Sequence, residues 1–198
     1  MIDEHFVWVG VGLLFIGGGL YIKDIIAGKV RPNIVTWFLW GLAPLIAFTA
    51  QLQHGIGASA WLTFAVGFCP AVIFFVALKK GFVHLTKLDY VCGGVSLLAI
   101  LAWQLTQDSA WAIILSIMAD GLAATPTIIK SFRDPDSESP TLFLLFVVSA
   151  LITLLTIKSW TLENSAFALY IFALYIALFV LVRFRVGYYL TQRQVVED

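Results

Sequence analysis

One carboxylate, Asp120, lies near the centre of the apolar stretch AIILSIMADGLAATP, and no other carboxylate in the sequence lies so deep in one. At the centre of a bilayer a charge costs several kcal/mol unless it faces a cavity, a partner or a bound proton. Asp120 is therefore a candidate for binding a solute, or for binding a proton and coupling it to a conformational change. The alternative is a structural Asp that fixes helix packing.

An earlier apolar stretch carries a stripe of aromatic and polar side chains. Trp37 and Trp40 share one face of a helix, and Asn33 and Thr36 lie on or near that face. In a central cavity the stripe would offer stacking surface and hydrogen bonds to an organic solute, whereas Trp37 could instead belong to an interfacial aromatic belt. Two later tyrosines could line or gate the same pathway. The candidate solute-binding residues are Asn33, Thr36, Trp37, Trp40, Asp120, Tyr170 and Tyr175.

Three prolines, Pro44, Pro70 and Pro126, lie inside apolar stretches that are long enough to be helices. A proline ring removes one backbone hydrogen bond and favours a kink, so these positions are candidate hinges. Prolines are also common in ordinary membrane helices, where they set only the shape of the helix. Taken together, the three prolines favour a helix set that encloses a pocket.

No residue pattern indicates an enzyme or a metal site. His5, His54 and His84 fall in termini or loops far apart in the chain, and there is no G-x-S-x-G nucleophile motif. Cys69 and Cys92 lie in apolar runs, where a small buried side chain is expected rather than a redox pair. The sequence therefore predicts no catalytic residue, no metal and no cofactor.

The composition is that of a protein whose main solvent is lipid. Hydrophobic residues make up 61% of the 198 residues and charged residues 12%, with a mean hydropathy of +0.95, whereas soluble domains are about half apolar and a quarter charged. The formal net charge of zero gives no argument for a nucleic-acid partner. The N-terminal MIDEH lacks the basic region of a signal peptide, so we expect the first apolar segment to stay in the mature chain.

Seven segments are long and apolar enough to be membrane-spanning helices, which predicts an all-α integral membrane protein. They are Phe6–Ile22, Pro32–Leu52, Ala58–Leu78, Leu88–Thr106, Ser109–Ile129, Ser139–Ile157 and Ser165–Phe184. Because the polar break between the fourth and fifth segments is very short, a six-span alternative has these two segments fused or one of them re-entrant.

Basic residues accumulate in the cytoplasmic loops of membrane proteins. With seven spans and the N-terminus outside, all of the 12 Lys and Arg residues except Lys158 fall on the cytoplasmic side. The sequence therefore predicts an external N-terminus and a cytoplasmic C-terminus. We interpret the chain as a multi-pass protein of a bacterial inner membrane, with the lipid bilayer as its first partner.

Two stretches resemble each other at an offset of about 106 residues. They are YIKDIIAGKVRPNIVTWFLW from Tyr21 and TIIKSFRDPDSESPTLFLLF from Thr127, and each has a Lys, a basic loop and a Pro that opens an aromatic-rich helix. The match predicts two parallel three-helix repeats joined by a linker helix, a 3+1+3 arrangement. The first repeat would be residues 1–86, the linker helix 87–107, and the second repeat with a short cytoplasmic tail 108–198. The alternative is chance similarity between apolar spans.

The segment ATPTIIKSFRDPDSESPTLFLLF, from Ala124, resembles the PQ-loop superfamily of heptahelical membrane proteins, which includes SWEET sugar transporters and cystinosin-like exporters. KDEL receptors and nicotinamide riboside transporters share the architecture. This chain departs from the pattern because Thr127 follows Pro126 where the family usually has Gln. It also lacks a mid-helix Asn in the third and seventh spans, which the SWEET sugar site uses. The resemblance implies a fold and a transporter.

The expected function is transport or facilitated diffusion of a small organic solute, such as a sugar, a vitamin or an amino-acid-like compound, by alternating access and linked to protons through Asp120. The alternative is a non-transporting receptor or assembly subunit, with the acidic loop of Asp134, Asp136 and Glu138 as a cytoplasmic contact. A membrane enzyme is a third, weaker hypothesis. The solute, the direction of transport, the coupling ion and the formation of a homo-oligomer are left open by the sequence.

Overall fold

The computed structural model describes residues 2–52, 58–106 and 109–190. Regular secondary structure in these residues is helical throughout, which confirms the all-α fold class. The α-helices are α1 Val7–Ile26, α2 Ile34–Leu52, α3 Ala58–Lys79, α4 Lys87–Leu105, α5 Ser109–Arg133, α6 Pro140–Thr156 and α7 Leu162–Arg183. Short 3-10 turns lie at Glu4–Phe6 and Pro135–Ser137.

Each predicted span coincides with one of these helices, with ends shifted by a few residues. The fused alternative for the fourth and fifth spans is wrong, because α4 and α5 are separate helices that pack against each other. Thr106, which follows α4, has an extended backbone that ends the helix.

Five helices within the described residues, namely α1, α3, α4, α5 and α7, are long and apolar enough to cross a membrane. The apolar parts of α2 and α6, Ile34–Thr49 and Pro140–Thr156, are shorter. Large apolar side chains such as Phe75 and Leu98 are exposed on the outside of the bundle, where lipid rather than water is their natural neighbour. The chain is therefore a membrane protein with transmembrane helices.

Local signals in the sequence explain where several helices begin and end. Thr86 and Asp89 form a capping box at the start of α4, each accepting a backbone N–H of the other. After α1 and α3 the chain turns on Gly28 and Gly81, whose φ angles of 73° and 79° need a residue without a Cβ. Pro140 opens α6 at the first turn, where its missing N–H is not needed.

The helices pack in an ordered pattern. Helix α3 contacts both α1 and α2, and α7 contacts both α5 and α6. Across the middle of the bundle α1 packs on α6 and α2 on α5, while α4 packs on α5 and α2. Successive helices run in opposite directions, so the bundle has two ends. We call the end with the start of α1 the N-terminal face and the end with the last residues of α7 the C-terminal face.

A chain of aromatic rings runs through the core from α1 to α6. Tyr21 of α1 contacts Trp37 of α2 at 5.1 Å between ring centroids, and Trp37 contacts Trp40 at 5.4 Å. Trp40 then meets Tyr175 of α7 at 6.3 Å, and Tyr175 meets Phe146 of α6 at 5.1 Å. These separations are those of favourable aromatic pairs, so the rings join four helices into one packed layer.

Candidate functional site

All of the α-helices contribute side chains to a cavity of about 550 Å³ in the half of the bundle nearer the N-terminal face. This volume lies within the range of roughly 300–1,000 Å³ that is typical of small-molecule sites. One lining residue from each helix in chain order is Leu14, Ala43, Leu62, Trp103, Ser116, Ala150 and Ile171. Most of the lining is apolar, as expected for a site that binds an organic molecule.

Asp120 of α5 lines this cavity and is half-buried. Its Oδ2 accepts a hydrogen bond from the Tyr170 hydroxyl of α7 at 2.9 Å. None of the ion pairs formed among the described residues includes Asp120. The fold therefore places a carboxylate at the cavity wall and supplies one neutral donor, but no cation, from the part of the chain described here.

Trp40 and Tyr175 lie beside this carboxylate. Tyr175 lines the cavity and interacts electrostatically with Asp120. The buried indole N–H of Trp40 makes no regular hydrogen bond within the described chain, but it is close enough to the Asp120 carboxylate to interact with it. The sequence therefore identified four residues, Trp40, Asp120, Tyr170 and Tyr175, that the structure brings together.

The hydroxyl groups along the cavity wall are mostly engaged with backbone carbonyls. Ser116 donates to the carbonyl of Ala112 at 2.7 Å, and Thr153 donates to that of Ser149 at 3.0 Å. Ser149 itself donates across helices to the carbonyl of Gly10 at 3.1 Å. Asp120 is the one charged residue among the described residues that line the cavity.

No family model, curated protein or solved structure matches the chain. The chemistry of the cavity thus rests on these side chains alone.

Of the predicted solute-binding residues, Asp120 and Tyr175 line the cavity, whereas Tyr170 and the residues of the stripe on α2 do not. Asn33 caps α2, its Oδ1 accepting the backbone N–H of Thr36 at 3.0 Å, and it donates to Asp89 Oδ1 of α4 at 2.5 Å. Thr36 is fully buried, donates to the carbonyl of Ala123 in α5 at 2.6 Å and accepts from Thr127 at 2.9 Å. They share a helix face with Trp40 but lie one to two turns nearer the C-terminal face. Here they hold α2 against α4 and α5.

Trp37 lies between these contacts and the cavity without lining it. Its side chain is 0% exposed and is packed between the rings of Tyr21 and Trp40. No part of the ring reaches the lipid-facing surface, so Trp37 does not belong to an interfacial belt. Its role in the structure is to carry the aromatic layer from α1 into α2.

The candidate hinges Pro44, Pro70 and Pro126 all lie inside helices that continue through them. Pro44 lines the cavity. Near it α2 and α3 approach closely. A Cβ on Gly41 would lie only 3.0 Å from the backbone N of Ala71. The hinge role of the three prolines stays a prediction.

Two buried carboxylates lie at the C-terminal face. From the sequence, Glu138 was predicted only as part of an acidic contact loop, and Asp89 was not singled out. Glu138 is 3% exposed, accepts the Tyr21 hydroxyl at 2.5 Å and pairs with Lys130 Nζ at 2.5 Å. Asp89 is 2% exposed and accepts from Thr86 as well as from Asn33. The T-x-x-D capping pattern signals the position of Asp89, but no local pattern signals Glu138, because Tyr21 lies 117 residues away. Glu138 is buried, so the predicted acidic contact loop does not include its side chain.

Proposed function

We propose that this protein is a transporter of a small organic solute that works by alternating access. The observation that carries the proposal is the contrast along the bundle axis. A solute-sized cavity occupies the half near the N-terminal face and contains Asp120, while the half near the C-terminal face is packed and hydrogen-bonded. A transporter closed on one side has this arrangement.

The floor of the cavity consists of contacts that would have to open for the solute to leave at the C-terminal face. The backbone of Ala123, which lines the cavity, accepts the hydroxyl of Thr36. Further toward the C-terminal face, Lys130 pairs with Glu138 and also donates to the carbonyl of Arg31. We propose that these contacts form the closed gate and that they separate in the opposite state.

Helix packing supports two parallel triplets with α4 as the linker. The two triplets can be compared by exchanging α1 with α5, α2 with α6 and α3 with α7. Under this exchange the α1–α3 contact corresponds to the α5–α7 contact, and the α2–α3 contact corresponds to the α6–α7 contact. The same exchange turns the contact of α1 with α6 into that of α5 with α2, and both contacts are present. Only α4 has no counterpart in this scheme. The 3+1+3 arrangement and the resemblance to PQ-loop proteins are therefore part of the proposal.

The repeat alignment pairs Tyr21 with Thr127, and these residues make analogous contacts. Both are fully buried. Tyr21 donates its hydroxyl to Glu138, which precedes α6, and Thr127 donates its hydroxyl to Thr36 in α2. Each thus forms a hydrogen bond from its own triplet to the other, which supports a common origin of the two halves of the chain.

We further propose seven membrane spans, an external N-terminus and a cytoplasmic C-terminus in a bacterial inner membrane. Among the described residues, the Lys and Arg side chains other than Lys158 belong to helix ends or loops at the C-terminal face. Cytoplasmic faces carry this excess of positive charge. Helices α2 and α6 would complete the spans despite their shorter apolar length, since about 17 residues suffice.

Flux across liposomes tests the proposal. Purified protein is reconstituted, and uptake of a panel of labelled sugars, vitamins and amino-acid-like solutes is measured with and without a pH gradient, against protein-free liposomes. Protein-dependent flux that a pH gradient changes would support a transporter linked to protons through Asp120. Solute binding by the folded protein without flux would contradict transport and indicate the receptor alternative.

A further inference from the structure

Building on the proposed transport function, we infer that the solute is an organic cation with an apolar or aromatic body, held with its positive charge against Asp120. The Asp120 carboxylate needs a partner for its charge. A carboxylate in a cavity walled by apolar side chains is costly unless something compensates its charge.

The protein itself compensates this charge only in part. An ionised carboxylate offers about four acceptor positions. Asp120 receives one regular hydrogen bond, from Tyr170 at 2.9 Å, and a weaker interaction from the Trp40 indole. No Lys, Arg or His is among the described residues that line the cavity. An ammonium or guanidinium group on the solute would supply both the missing charge and the missing donors.

The rest of the wall argues against other solute classes. An anion would meet Asp120 with no positive side chain among the described lining residues to offset the repulsion. A polyhydroxylated solute needs many donors and acceptors, but the hydroxyls of Ser116, Ser149 and Thr153 already donate to backbone carbonyls. What the wall offers instead is apolar and aromatic surface from Trp103, Phe167 and Tyr175. Such rings attract cations as well as apolar groups.

Glu138 shows how this chain treats a carboxylate that is more deeply buried than the half-buried Asp120. There the fold supplies Lys130 at 2.5 Å and the Tyr21 hydroxyl at 2.5 Å. This chain can therefore place a cation beside a buried carboxylate. Asp89, the other buried carboxylate, is held by neutral donors alone, from Asn33 and from the hydroxyl and backbone N–H of Thr86. Among the described residues Asp120 has neither a cation nor such a set of donors, which leaves the position to a cation that arrives with the solute.

Four probes that share a phenyl body and differ in charge test this inference. They are phenyltrimethylammonium, phenethylamine, 2-phenylethanol and 3-phenylpropionate, and binding to the purified full chain is measured by calorimetry and thermal stabilisation. We expect the two cations to bind at least about tenfold more tightly than the alcohol, because interactions with a charged partner contribute about 1.5–3 kcal/mol. The anion should not bind. Equal affinity for the alcohol and the amines would overturn the inference.

Variants locate the charge effect. Asp120→Asn should weaken binding of both cations by about 10- to 100-fold and leave the alcohol unchanged. Asp120→Glu, which keeps the charge, should retain preference for the cations. The matched control is Asp134→Asn, because the Asp134 side chain is exposed and makes no capping bond. Cation binding that survives Asp120→Asn would contradict the inference, and if that variant does not fold, the probe series on the natural chain decides alone.

A proton is the competing occupant of Asp120, and the permanent charge of phenyltrimethylammonium distinguishes it. Binding of this probe that strengthens as pH rises indicates competition between probe and proton for one carboxylate, whereas pH-independent preference for the neutral alcohol overturns the inference. The proposed function fails separately. If only neutral solutes are transported, the transport function is supported and the proposal of a cationic solute is contradicted. If cations bind tightly but no flux is seen, the cationic ligand is supported and the transport function is contradicted.

Discussion

The two halves of this helix bundle treat a buried carboxylate in opposite ways. Near the C-terminal face, Glu138 and Asp89 are almost fully buried, and each has one partner close in sequence and one from a distant part of the chain. Near the N-terminal face, Asp120 faces a cavity and accepts one regular hydrogen bond from the described residues. A carboxylate with several internal partners holds helices together, and one with fewer is available to a ligand.

The same comparison explains why the predicted stripe on α2 divides in two. Asn33 and Thr36 lie in the packed half, where their side chains bond to groups of α4 and α5. Trp40 does not line the cavity but lies beside Asp120 and Tyr175, which do, and its indole N–H has no regular partner among the described residues.

The largest effect should come from removing the best-paired acid. Glu138→Ala leaves the Lys130 ammonium and the buried Tyr21 hydroxyl without their acceptor. We expect the free energy of unfolding to fall by about 3 kcal/mol, because breaking a buried pair from one side is strongly destabilising. The measurement is the unfolding transition in detergent, followed by tryptophan fluorescence. Asp136→Ala, which removes an exposed pair with Arg185, is the control and should change stability by less than about 1 kcal/mol. If the two variants lowered the free energy of unfolding equally, the buried Glu138 pair would contribute no more to stability than the exposed Asp136 pair.

Asp120→Asn should give the opposite pattern. The amide can still accept from Tyr170, and the variant no longer has a charge without a counter-ion, so the unfolding transition should stay the same or rise. Solute flux, by contrast, should fall about 10-fold or more, in line with the loss of a charged interaction. A large loss of stability with normal flux would assign Asp120 to the structural class of Glu138.

Asn33→Ala should destabilise the protein without affecting the cavity. It removes the cap of α2 and one hydrogen bond to Asp89, at an expected cost of about 1–2 kcal/mol. Asn164→Ala removes only exposed hydrogen bonds to Ser159, and it should cost less, about 0.5 kcal/mol. Affinity for the best solute should be unchanged in both variants. Reduced affinity in the folded Asn33 variant would return this residue to the solute-binding site.

The smallest effect is expected at Tyr170. Tyr170→Phe removes the one regular hydrogen bond that Asp120 accepts from the described part of the chain, which should change the Kd of a bound solute by about 2- to 10-fold. Tyr90→Phe, at a side chain 67% exposed on α4, is the matched control and should have no effect. If Tyr170→Phe matches Asp120→Asn in its loss of flux, the tyrosine contacts the solute directly rather than acting through the carboxylate.

Much of the fold could be predicted because its signals are local. Apolar runs of helical length, bounded by Pro, Gly and charge, gave the positions of all the described helices to within a few residues. The depth of Asp120 in an apolar run singled it out in the same way. Tyr170 and Tyr175 were candidates as polar aromatic residues in a span, and their position beside Asp120 follows from the packing of α5 on α7.

Hydropathy and segment length, which are local properties, were enough to predict a helical membrane protein and to single out Asp120 as its most unusual charge. Which polar residues lie near the cavity depends on the packing of the helices. Asn33 and Trp40 share a face of α2, yet one bonds to Asp89 across 56 residues of sequence and the other packs on Tyr175. Glu138 was placed beside Tyr21 and Lys130 by the packing of the helix ends. Periodicity assigns a side chain to a face of a helix, but its depth along the axis and its partners depend on how the helices pack together.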